Sequence, residues 1–414
     1  MRRIKNEAAC DARLTLLPPA PIPGGLKPDL SILPLLALAA FATGGGIRML
    51  DPLLPLLASD FGVTVAGAAP VLAGFSIAYG AGQVVIGPLG DRYGKLRVAW
   101  FALLLYGFGL AACALAWDLS AMVALRTLTG LLAGAVIPLA LAWIGDAVPY
   151  AERQATIGRF LTGMVMAQLL VGPLSGVLAD LAGWRASFIV LALLALVVSV
   201  LLGRRLGPAL WQAPASEAGR DFRSSFRSYL TLFSRPAGQR LMVAAFIDGA
   251  VLFGGAFPLT GSLLIENFGY SPAMAGLVVA GFGLGAFTYT RLAKTLVARF
   301  GERRLLTLGG VLLALGLVGT AYAPNGLVVA AMQFWLGLAF YMLHGVLQAR
   351  ATEALPEARG TAVAAFAMAL FFGQSMGALV FGSILHIAGY AAVFMVAAIA
   401  TIGLMAWSRR LLNA

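Results

Sequence analysis

Apolar residues run along this chain in long stretches that are separated by short polar segments. A helix that crosses a bilayer needs about 20 mostly apolar residues. Twelve stretches reach that length, and we number them as spans 1 to 12. They predict an all-α membrane protein with twelve transmembrane helices. The spans cover residues 31–57, 66–87, 97–116, 120–144, 156–180, 185–203, 241–265, 271–293, 305–323, 326–349, 361–385 and 388–408.

The basic residues alternate between the two sides of this predicted bundle. If the N-terminus is cytoplasmic, 26 of the 29 Lys and Arg residues fall on the cytoplasmic side. Arg185 falls outside, and Arg48 and Arg126 lie within spans. An excess of basic residues in cytoplasmic loops orients membrane proteins. A wrong span count would scramble this alternation, so the pattern predicts that both termini are cytoplasmic.

The composition excludes several classes of protein. Hydrophobic residues make up 60% of the chain and charged residues 11%, whereas soluble domains carry about 25% charged residues. This excludes a soluble enzyme and a disordered chain. The net charge of +12 lies in the inner loops, which favours membrane orientation over nucleic-acid binding. Two cysteines and two histidines are too few for a disulfide framework, a zinc site or a bis-histidine haem, so we expect no cofactor and no metal.

The loops divide the chain into four regions. Residues 1–30 lack the apolar core and cleavage site of a signal peptide, and their Pro-Pro and Gly-Gly pairs predict a disordered cytoplasmic tail. The longest inner loop, 204–240, is a predicted cytoplasmic linker. It separates an N-terminal half of six spans, 31–203, from a C-terminal half of six spans, 241–410.

The two groups of six spans resemble each other in sequence. A duplicated helical unit is typical of secondary transporters, whose halves rock about a central site and expose it to each side in turn. We therefore expect two pseudo-symmetric halves. At an offset of 207 residues, Leu89, Arg92, Gly94, Arg126 and Gly130 align with Leu296, Arg299, Gly301, Gln333 and Gly337; at an offset of 206, Gly176, Gly183 and Phe188 align with Gly382, Gly389 and Phe394.

Three motifs carry a resemblance to a known family. Residues 87–97 read GPLGDRYGKLR, which resembles the loop 2–3 signature of the major facilitator superfamily, and span 4 contains LRTLTGLLAGA, similar to a second family pattern. Span 5 contains VGPLSGVL, which resembles a motif of the 12-span drug:proton antiporter and sugar-efflux-like branch, although Gln168 and Val177 stand where that branch has glycine. The resemblance covers residues 31 to 408 and implies an alternating-access transporter.

The loop signature implies a conformational switch between spans 2 and 3. Its glycines would allow a tight turn, its aspartate would cap span 11 near Gly360, and its arginine would pair with span 4. The alternative is that its basic residues only fix the topology. The switch residues are Gly87, Asp91, Arg92, Gly94 and Lys95, with Asp146 as the partner of Arg92.

Four charged residues within the spans are candidates for proton coupling, because an ionisable group in the membrane is costly and marks function. Arg48 precedes Asp51 by three residues and could pair with it; Asp51 is then either a protonation site or part of a static pair near the outer boundary. Arg126 has no acidic neighbour on its own helix, and the resemblance ties it to proton coupling; the alternative is a buried structural pair. Asp248 could carry a proton or reach the inner surface by snorkelling.

Span 5 contains Gly172, Pro173 and Gly176. A proline removes one helical hydrogen bond, and glycines let another helix approach closely. These residues predict either a functional bend or ordinary close packing.

Two spans carry polar and aromatic residues at helical spacing, so that each set shares one face. Such stripes in lipid face either a substrate cavity or a neighbouring helix. The candidates for the cavity are Phe75, Tyr79 and Gln83 in span 2 and Gln333, Tyr341, His344 and Gln348 in span 10.

The sequence contains no phosphate-binding loop for ATP, so a proton gradient is the expected energy source. We expect export of small apolar or amphipathic compounds by proton antiport. The alternative is proton-coupled uptake of a metabolite, metal chelate or siderophore. A membrane enzyme or electron carrier lacks the necessary ligands, and the duplicated halves disfavour a channel. The expected state is a monomer in a bacterial inner membrane, whose partners are the lipid bilayer, a small-molecule substrate and protons, with no nucleic acid.

Overall fold

The computed structural model describes residues 30–211, 222–355 and 358–411, and the long regular elements within these ranges are helices. The predicted disordered tail up to residue 29 and residues 212–221 of the predicted linker lie outside the described residues. A π-helix, Gly249–Ala256, joins the helix Pro236–Asp248 to the helix Phe257–Phe268. The α-helices are α1 (Leu33–Arg48), α2 (Leu54–Asp60), α3 (Ala69–Tyr93), α4 (Lys95–Ala114), α5 (Leu119–Ala147), α6 (Tyr150–Ala182), α7 (Trp184–Leu206), α8 (Phe222–Ser234), α9 (Pro236–Asp248), α10 (Phe257–Phe268), α11 (Pro272–Ala321), α12 (Gly326–Ala351) and α13 (Arg359–Leu411).

Polar side chains fix where several helices begin. The Asp118 carboxylate accepts a hydrogen bond from the backbone N–H of Ala121 at 2.7 Å and caps α5. Ser271 and Asn325 cap α11 and α12 in the same way. These side chains satisfy N–H groups that have no partner within the helix. The three capped ends lie on one side of the molecule, which we call the opposite end; the side that carries the turn between α3 and α4 is the basic end.

Two of the helices are too long for one membrane crossing. α11 has 50 residues and α13 has 53, and 50 residues of α-helix would extend about 75 Å against a hydrocarbon core of about 30 Å. Each contains one non-helical glycine, Gly301 with φ 69° and Gly389 with φ 75°. A left-handed φ is readily adopted only by glycine, so each helix can change direction at that residue.

The contacts of α12 establish that α11 folds back on itself. Gly285, before the glycine break, lies against Phe334, and Gly309, after it, lies against Leu343. Phe334 and Leu343 are nine residues apart on α12, about 14 Å along its axis. Gly285 and Gly309 would be about 36 Å apart on a straight helix. The chain therefore reverses near Gly301.

The observed elements divide the predicted spans differently. Within the described residues, ten helices are long and apolar enough to cross a membrane, whereas the sequence predicts twelve spans. Predicted spans 8 and 9 merge into α11, and spans 11 and 12 into α13, because a single glycine replaces the expected loop. Predicted span 1 is interrupted between Arg48 and Leu54, where Pro52 disfavours a helical residue before it. Asp51 therefore lies in a turn.

The buried apolar residues form separate clusters, which differ in the part of the chain that contributes to them. One hydrophobic cluster contains buried residues only from Ala39 to Val198, and another contains them only from Tyr229 to Leu404. A further cluster combines Leu54 to Ala68 with residues of α10 to α13. These mixed residues lie toward the opposite end, so that end is closely packed across the molecule.

Close helix contacts recur at the offsets found in the sequence. A Cβ at Gly130 would overlap with the carbonyl oxygen of Phe75, and a Cβ at Gly337 would overlap with that of Phe282. Gly337 lies 207 residues after Gly130, and Phe282 lies 207 residues after Phe75. The structure therefore repeats a packing contact that the sequence repeats.

We expect Gly130→Ala to lower the stability of the protein by about 1–3 kcal/mol, because the added methyl group meets backbone atoms and α3 must move away. Thermal unfolding of the purified protein in detergent measures this as a lower Tm. Gly145→Ala in the same helix is the control, because a Cβ there has no neighbour within 4 Å; an equal Tm for the two variants would contradict the prediction.

Candidate functional site

A small polar cavity lies among α1, α3, α5, the π-helix, α10 and α13. Its volume is about 20 Å³, which is room for about one water molecule. Arg48, Asp51 and Arg126 are its charged lining residues. The others are Ile47, Leu72, Phe75, Ser76, Phe253, Gly254, Pro258, Gln374 and Ala378.

The structure brings Arg48 and Asp51 together at the wall of this cavity. The Arg48 guanidinium lies 3.5 Å from the Asp51 carboxylate, and Asp51 is 1% exposed. The guanidinium also lies 4.9 Å from the ring centre of Phe253 and 4.8 Å from that of Phe257. The pair is therefore buried within the protein. Asp51 Oδ1 is buried without a hydrogen bond.

Arg126 reaches the same cavity from α5. Its side chain is buried, its Nη2 donates to the Gly46 carbonyl oxygen at 2.9 Å, and its guanidinium lies 4.2 Å from the ring centre of Phe75. Its Nε and Nη1 are buried and have no hydrogen-bond partner. Among the described residues Arg126 forms no ion pair, so the structure provides this buried cation with a backbone carbonyl and a ring face only.

A second buried polar pair lies nearer the basic end. His344 Nδ1 lies 2.5 Å from Asp248 Oδ2, and both side chains are buried. His344 also stacks on Phe340 with ring centres 4.7 Å apart. Of the two alternatives for Asp248, this structure does not show the one in which it reaches the inner surface, because the carboxylate is buried against His344 of α12.

The predicted stripe of span 10 is only partly buried. Gln333 is fully buried and its Nε2 donates to Thr260 Oγ1 at 3.3 Å. Tyr341 lies beside His344, with ring centres 6.2 Å apart. Gln348 is exposed, so it does not belong with the buried members. The stripe thus joins α10 at one end and the Asp248–His344 pair at the other.

The predicted residues of span 2 follow α3 from the cavity to a second space. Phe75 lines the central cavity. Tyr79, one turn further, stacks on Phe371 of α13 with ring centres 4.0 Å apart. Gln83, another turn further, donates to the Gly134 carbonyl oxygen at 3.1 Å and lines a cleft of about 810 Å³ at the basic end. The Tyr79–Phe371 pair therefore lies between the cavity and the cleft.

The loop signature lies on the wall of this cleft, with different pairing from that expected. Asp146 is contacted by Lys95, which also lies 3.5 Å from Asp91. Arg92 instead lies over the Tyr93 ring at 5.3 Å, so the predicted Arg92–Asp146 pair is not formed in this conformation. The turn between the two helices lies at Gly94, which has φ 95°, and α4 starts directly at Lys95.

The structure also differs from two further predictions about this loop. Gly87 lies inside α3 and takes no part in the turn. Asp91 and Gly360 line the same cleft, and the ion pair of Asp91 is with Lys95. In this conformation the aspartate thus faces its predicted target across open space.

The span 5 residues form a contact at the opposite end. α6 runs without interruption from Tyr150 to Ala182 with Pro173 in its interior. A Cβ at Gly176 would overlap with the Pro272 carbonyl oxygen, and a Cβ at Gly276 would lie 2.6 Å from that of Gly172. The glycines allow α6 and the start of α11 to touch backbone to backbone.

An exposed ion pair also ties elements together at the opposite end. Arg185 Nη1 donates to Asp60 Oδ2 at 2.7 Å, and Trp184 Nε1 donates to the same oxygen at 3.1 Å. The hydrogen bond from Arg185 holds the pKa of Asp60 below its ordinary value. The pair links α2 to α7, but pairs this exposed contribute little to stability.

Sequence reasoning missed Ser76, Phe371 and Gln374. Ser76 Oγ donates to Gln374 Oε1 at 3.4 Å across the cavity, which joins α3 to α13. A signal for Gln374 exists, because it lies 206 residues after Gln168 in the corresponding span. Phe371 carries no such signal, since a phenylalanine in an apolar span is ordinary.

Comparison with known proteins identifies relatives of this chain. The family profile described as Major Facilitator Superfamily matches residues 36–264 and 241–412. The uncharacterized MFS-type transporter YwfA of Bacillus subtilis is 26% identical over 370 residues, which are 89% of this chain and 88% of YwfA. The multidrug resistance protein Stp of Mycobacterium tuberculosis is 26% identical over 406 residues, 84% of this chain and 75% of Stp.

One further relative matches a shorter part of the chain, and one solved structure has a similar fold. The 4-hydroxybenzoate transporter PcaK of Pseudomonas aeruginosa is 31% identical over 169 residues, 41% of this chain and 38% of PcaK. The xylose transporter XylE of E. coli superposes with a TM-score of 0.70 at 16% identity and covers 92% of this chain and 97% of its own. At that identity the likeness establishes the fold alone.

Proposed function

The chain belongs to the major facilitator superfamily, and from this premise we propose that it moves small amphipathic compounds by alternating access, driven by protons. The family consists of membrane transporters and not of enzymes. The observation that carries the proposal is a buried site with ionisable residues, separated by one aromatic pair from a cleft at the basic end. A transporter needs such a site between two entrances that open in turn.

The proposed topology has twelve crossings in two pseudo-symmetric halves, with the basic end in the cytoplasm of a bacterial cell. The reversal at Gly301 and the non-helical backbone at Gly389 support it, because α11 then crosses twice and α13 can do the same. The positions of the basic residues support the orientation. The bacterial relatives support a place in the inner membrane, and the protein would work as a monomer.

In this topology the described conformation faces inward. The cleft of about 810 Å³ is at the basic end, and the contact between α6 and α11 is at the opposite end. The Tyr79–Phe371 pair closes the short distance between cleft and cavity. Opening of this pair would admit a substrate from the cytoplasm.

Asp51 is the proposed proton site. It is the acidic residue that lines the central cavity, and Arg48 beside it can stabilise its charged form. A protonated Asp51 would release Arg48, while a charged Asp51 would hold it. The protonation state thereby changes the charge of the substrate site. The Asp248–His344 pair is a second proton site on the way to the basic end.

Export by proton antiport is the first direction we propose, supported by the span 5 motif and by the multidrug resistance relative. Proton-coupled uptake is the second. It is supported by the similarity to a 4-hydroxybenzoate transporter and by the two arginines that face a single aspartate in the cavity.

Proton movement in sealed proteoliposomes tests the proposal. The purified protein is reconstituted with an internal pH-sensitive dye, a pH gradient is imposed, and cationic, neutral and carboxylate compounds are added in turn. Proton flux against the compound supports export, and flux with it supports uptake. The control is protein-free vesicles. Compound movement with no proton flux above that control would contradict proton coupling.

A further inference from the structure

We propose that the central cavity binds the carboxylate group of a small amphipathic organic anion, with Arg126 as its principal ligand and Arg48 as the second. The class is a monocarboxylate with an apolar, ring-sized body. This inference rests on the proposed transport function, for which it names the cargo, and of the two proposed directions it favours proton-coupled uptake.

The charged side chains that line the cavity carry one positive charge in excess, which one bound anion would neutralise. Two guanidinium groups, of Arg48 and Arg126, face the single carboxylate of Asp51, and that carboxylate lies beside Arg48. The Cys113 thiol and the Tyr106 hydroxyl lie close enough to Arg126 to act on its charge, and both are neutral at ordinary pH. An unpaired cation buried in protein is strongly unfavourable. An anion that binds beside it would relieve much of this unfavourable energy, which makes binding favourable.

Arg126 has unused hydrogen-bond donors. A guanidinium has five N–H groups, and Nη2 uses one on the Gly46 carbonyl oxygen. The three N–H groups of Nε and Nη1 are buried without a partner. A carboxylate presents two oxygens with about four acceptor positions and forms the strongest hydrogen bonds with arginine. The geometry therefore offers donors for which the described residues provide no acceptor.

A purely structural role for Arg126 explains only part of this arrangement. Gly46 is in the last turn of α1, where carbonyl groups lack helical partners and attract a cation. A latch from α5 to α1 would need one donor. It would not leave two further buried nitrogens without a partner beside a cavity that already contains a second arginine.

The surroundings of the cavity define the body of the ligand. The Arg126 guanidinium lies on Phe75, and the Arg48 guanidinium lies on Phe253 and Phe257. A cavity of about 20 Å³ holds little more than a head group. Opening of the Tyr79–Phe371 pair would join it to the cleft, so that an apolar body could replace one of these rings in the stack.

Such a ligand would load together with the proton. Protonation of Asp51 frees Arg48 and raises the charge of the cavity, which strengthens the binding of an anion. A charged Asp51 competes with the ligand for the same arginine. Anion and proton thus favour each other, and we expect them to be transported in the same direction.

Binding measured by calorimetry on the purified protein tests this inference without transport. The probes are benzoate and hexanoate, each matched with its neutral amide. We expect the carboxylates to bind and the amides to bind at least about tenfold more weakly. Arg126→Gln should weaken carboxylate binding by about 10- to 100-fold, the value of a lost charged hydrogen bond, and Arg126→Lys by less. Arg185→Gln, at the opposite end, is the control and should leave the affinity unchanged.

Several outcomes would overturn the inference. These are equal affinity for benzoate and benzamide, preference for benzylamine, no carboxylate binding to the wild type, or unchanged benzoate affinity in Arg126→Gln. If Arg126→Gln does not fold, the comparison of acids and amides on the wild type still decides. Proton-coupled movement of neutral or cationic compounds without carboxylate binding would refute the inference alone. Carboxylate binding through Arg126 without any transport would refute the proposed function alone.

Discussion

Replacement of Asp51 by asparagine is expected to abolish proton-driven transport in a protein that still folds and inserts. Asparagine has nearly the shape of a protonated aspartate, so the buried turn after α1 can keep its structure. It cannot take up or release a proton, so the cavity would no longer change its charge during the cycle. Proteoliposomes with an imposed pH gradient should then show accumulation of substrate reduced to the level of protein-free vesicles.

A second assay separates a lost proton site from a damaged protein. Exchange of labelled for unlabelled substrate across the membrane needs the conformational cycle but no net proton movement, and Asp51→Asn should retain it. Asp60→Asn is the matched control, because Asp60 is exposed at the end of α2, nine residues after Asp51, and lies outside the cavity. Full pH-driven accumulation by Asp51→Asn would remove Asp51 from the mechanism.

Local spacing allowed part of the central site to be predicted. Arg48 and Asp51 are three residues apart, and this interval alone indicated a pair. Pro52 explains why the pair lies in a buried turn and not in a continuous helix, an effect that the hydropathy pattern does not contain. The number of apolar stretches predicted the helices themselves. It could not predict that single glycines join two pairs of them, because Gly301 and Gly389 resemble the other glycines of the chain in sequence.

Sequence patterns could not predict contacts between residues that lie far apart in the chain. His344 and Asp248 are 96 residues apart, and nothing in the sequence indicated that the polar stripe of span 10 would contact Asp248. Gln374 and Ser76 meet only because α13 packs against α3. Asp146 pairs with Lys95 and not with Arg92, although the spacing of the two basic residues did not distinguish them. In each case the residue types were visible in the sequence, and their meeting depends on tertiary packing.

The internal repeat extends from the sequence to contacts between the parts of the chain. Gly176 contacts Pro272, and Gly382 lies close to Ala66. Gly382 lies 206 residues after Gly176, and Ala66 lies 206 residues before Pro272, so the second contact repeats the first. The opposite end is thus closed by two related contacts, α6 with α11 and α13 with the start of α3. Such a symmetric pair can form and break together when two halves rock.

This symmetry leads to a second large effect: Gly176→Val is expected to hold the protein open at the opposite end and to reduce transport at least about tenfold. The side chain would collide with the backbone of α11 at Pro272, and overpacking of this kind costs about 1–3 kcal/mol. The strain disappears when the two helices separate. The conformational equilibrium should therefore shift by about 5- to 150-fold toward the outward-open state.

Labelling of a cysteine in the cavity measures this shift directly. Ser76→Cys, in a protein whose two native cysteines are replaced by serine, reports access to the central site for a membrane-impermeant maleimide added outside intact cells. Gly176→Val should raise the labelling rate, because the outer contact can no longer close. Gly158→Val on the same helix is the control, since a Cβ there has no neighbour within 4 Å. If both variants are labelled at the wild-type rate, the glycine contact does not restrain the outer entrance, and α6 and α11 must separate by another route.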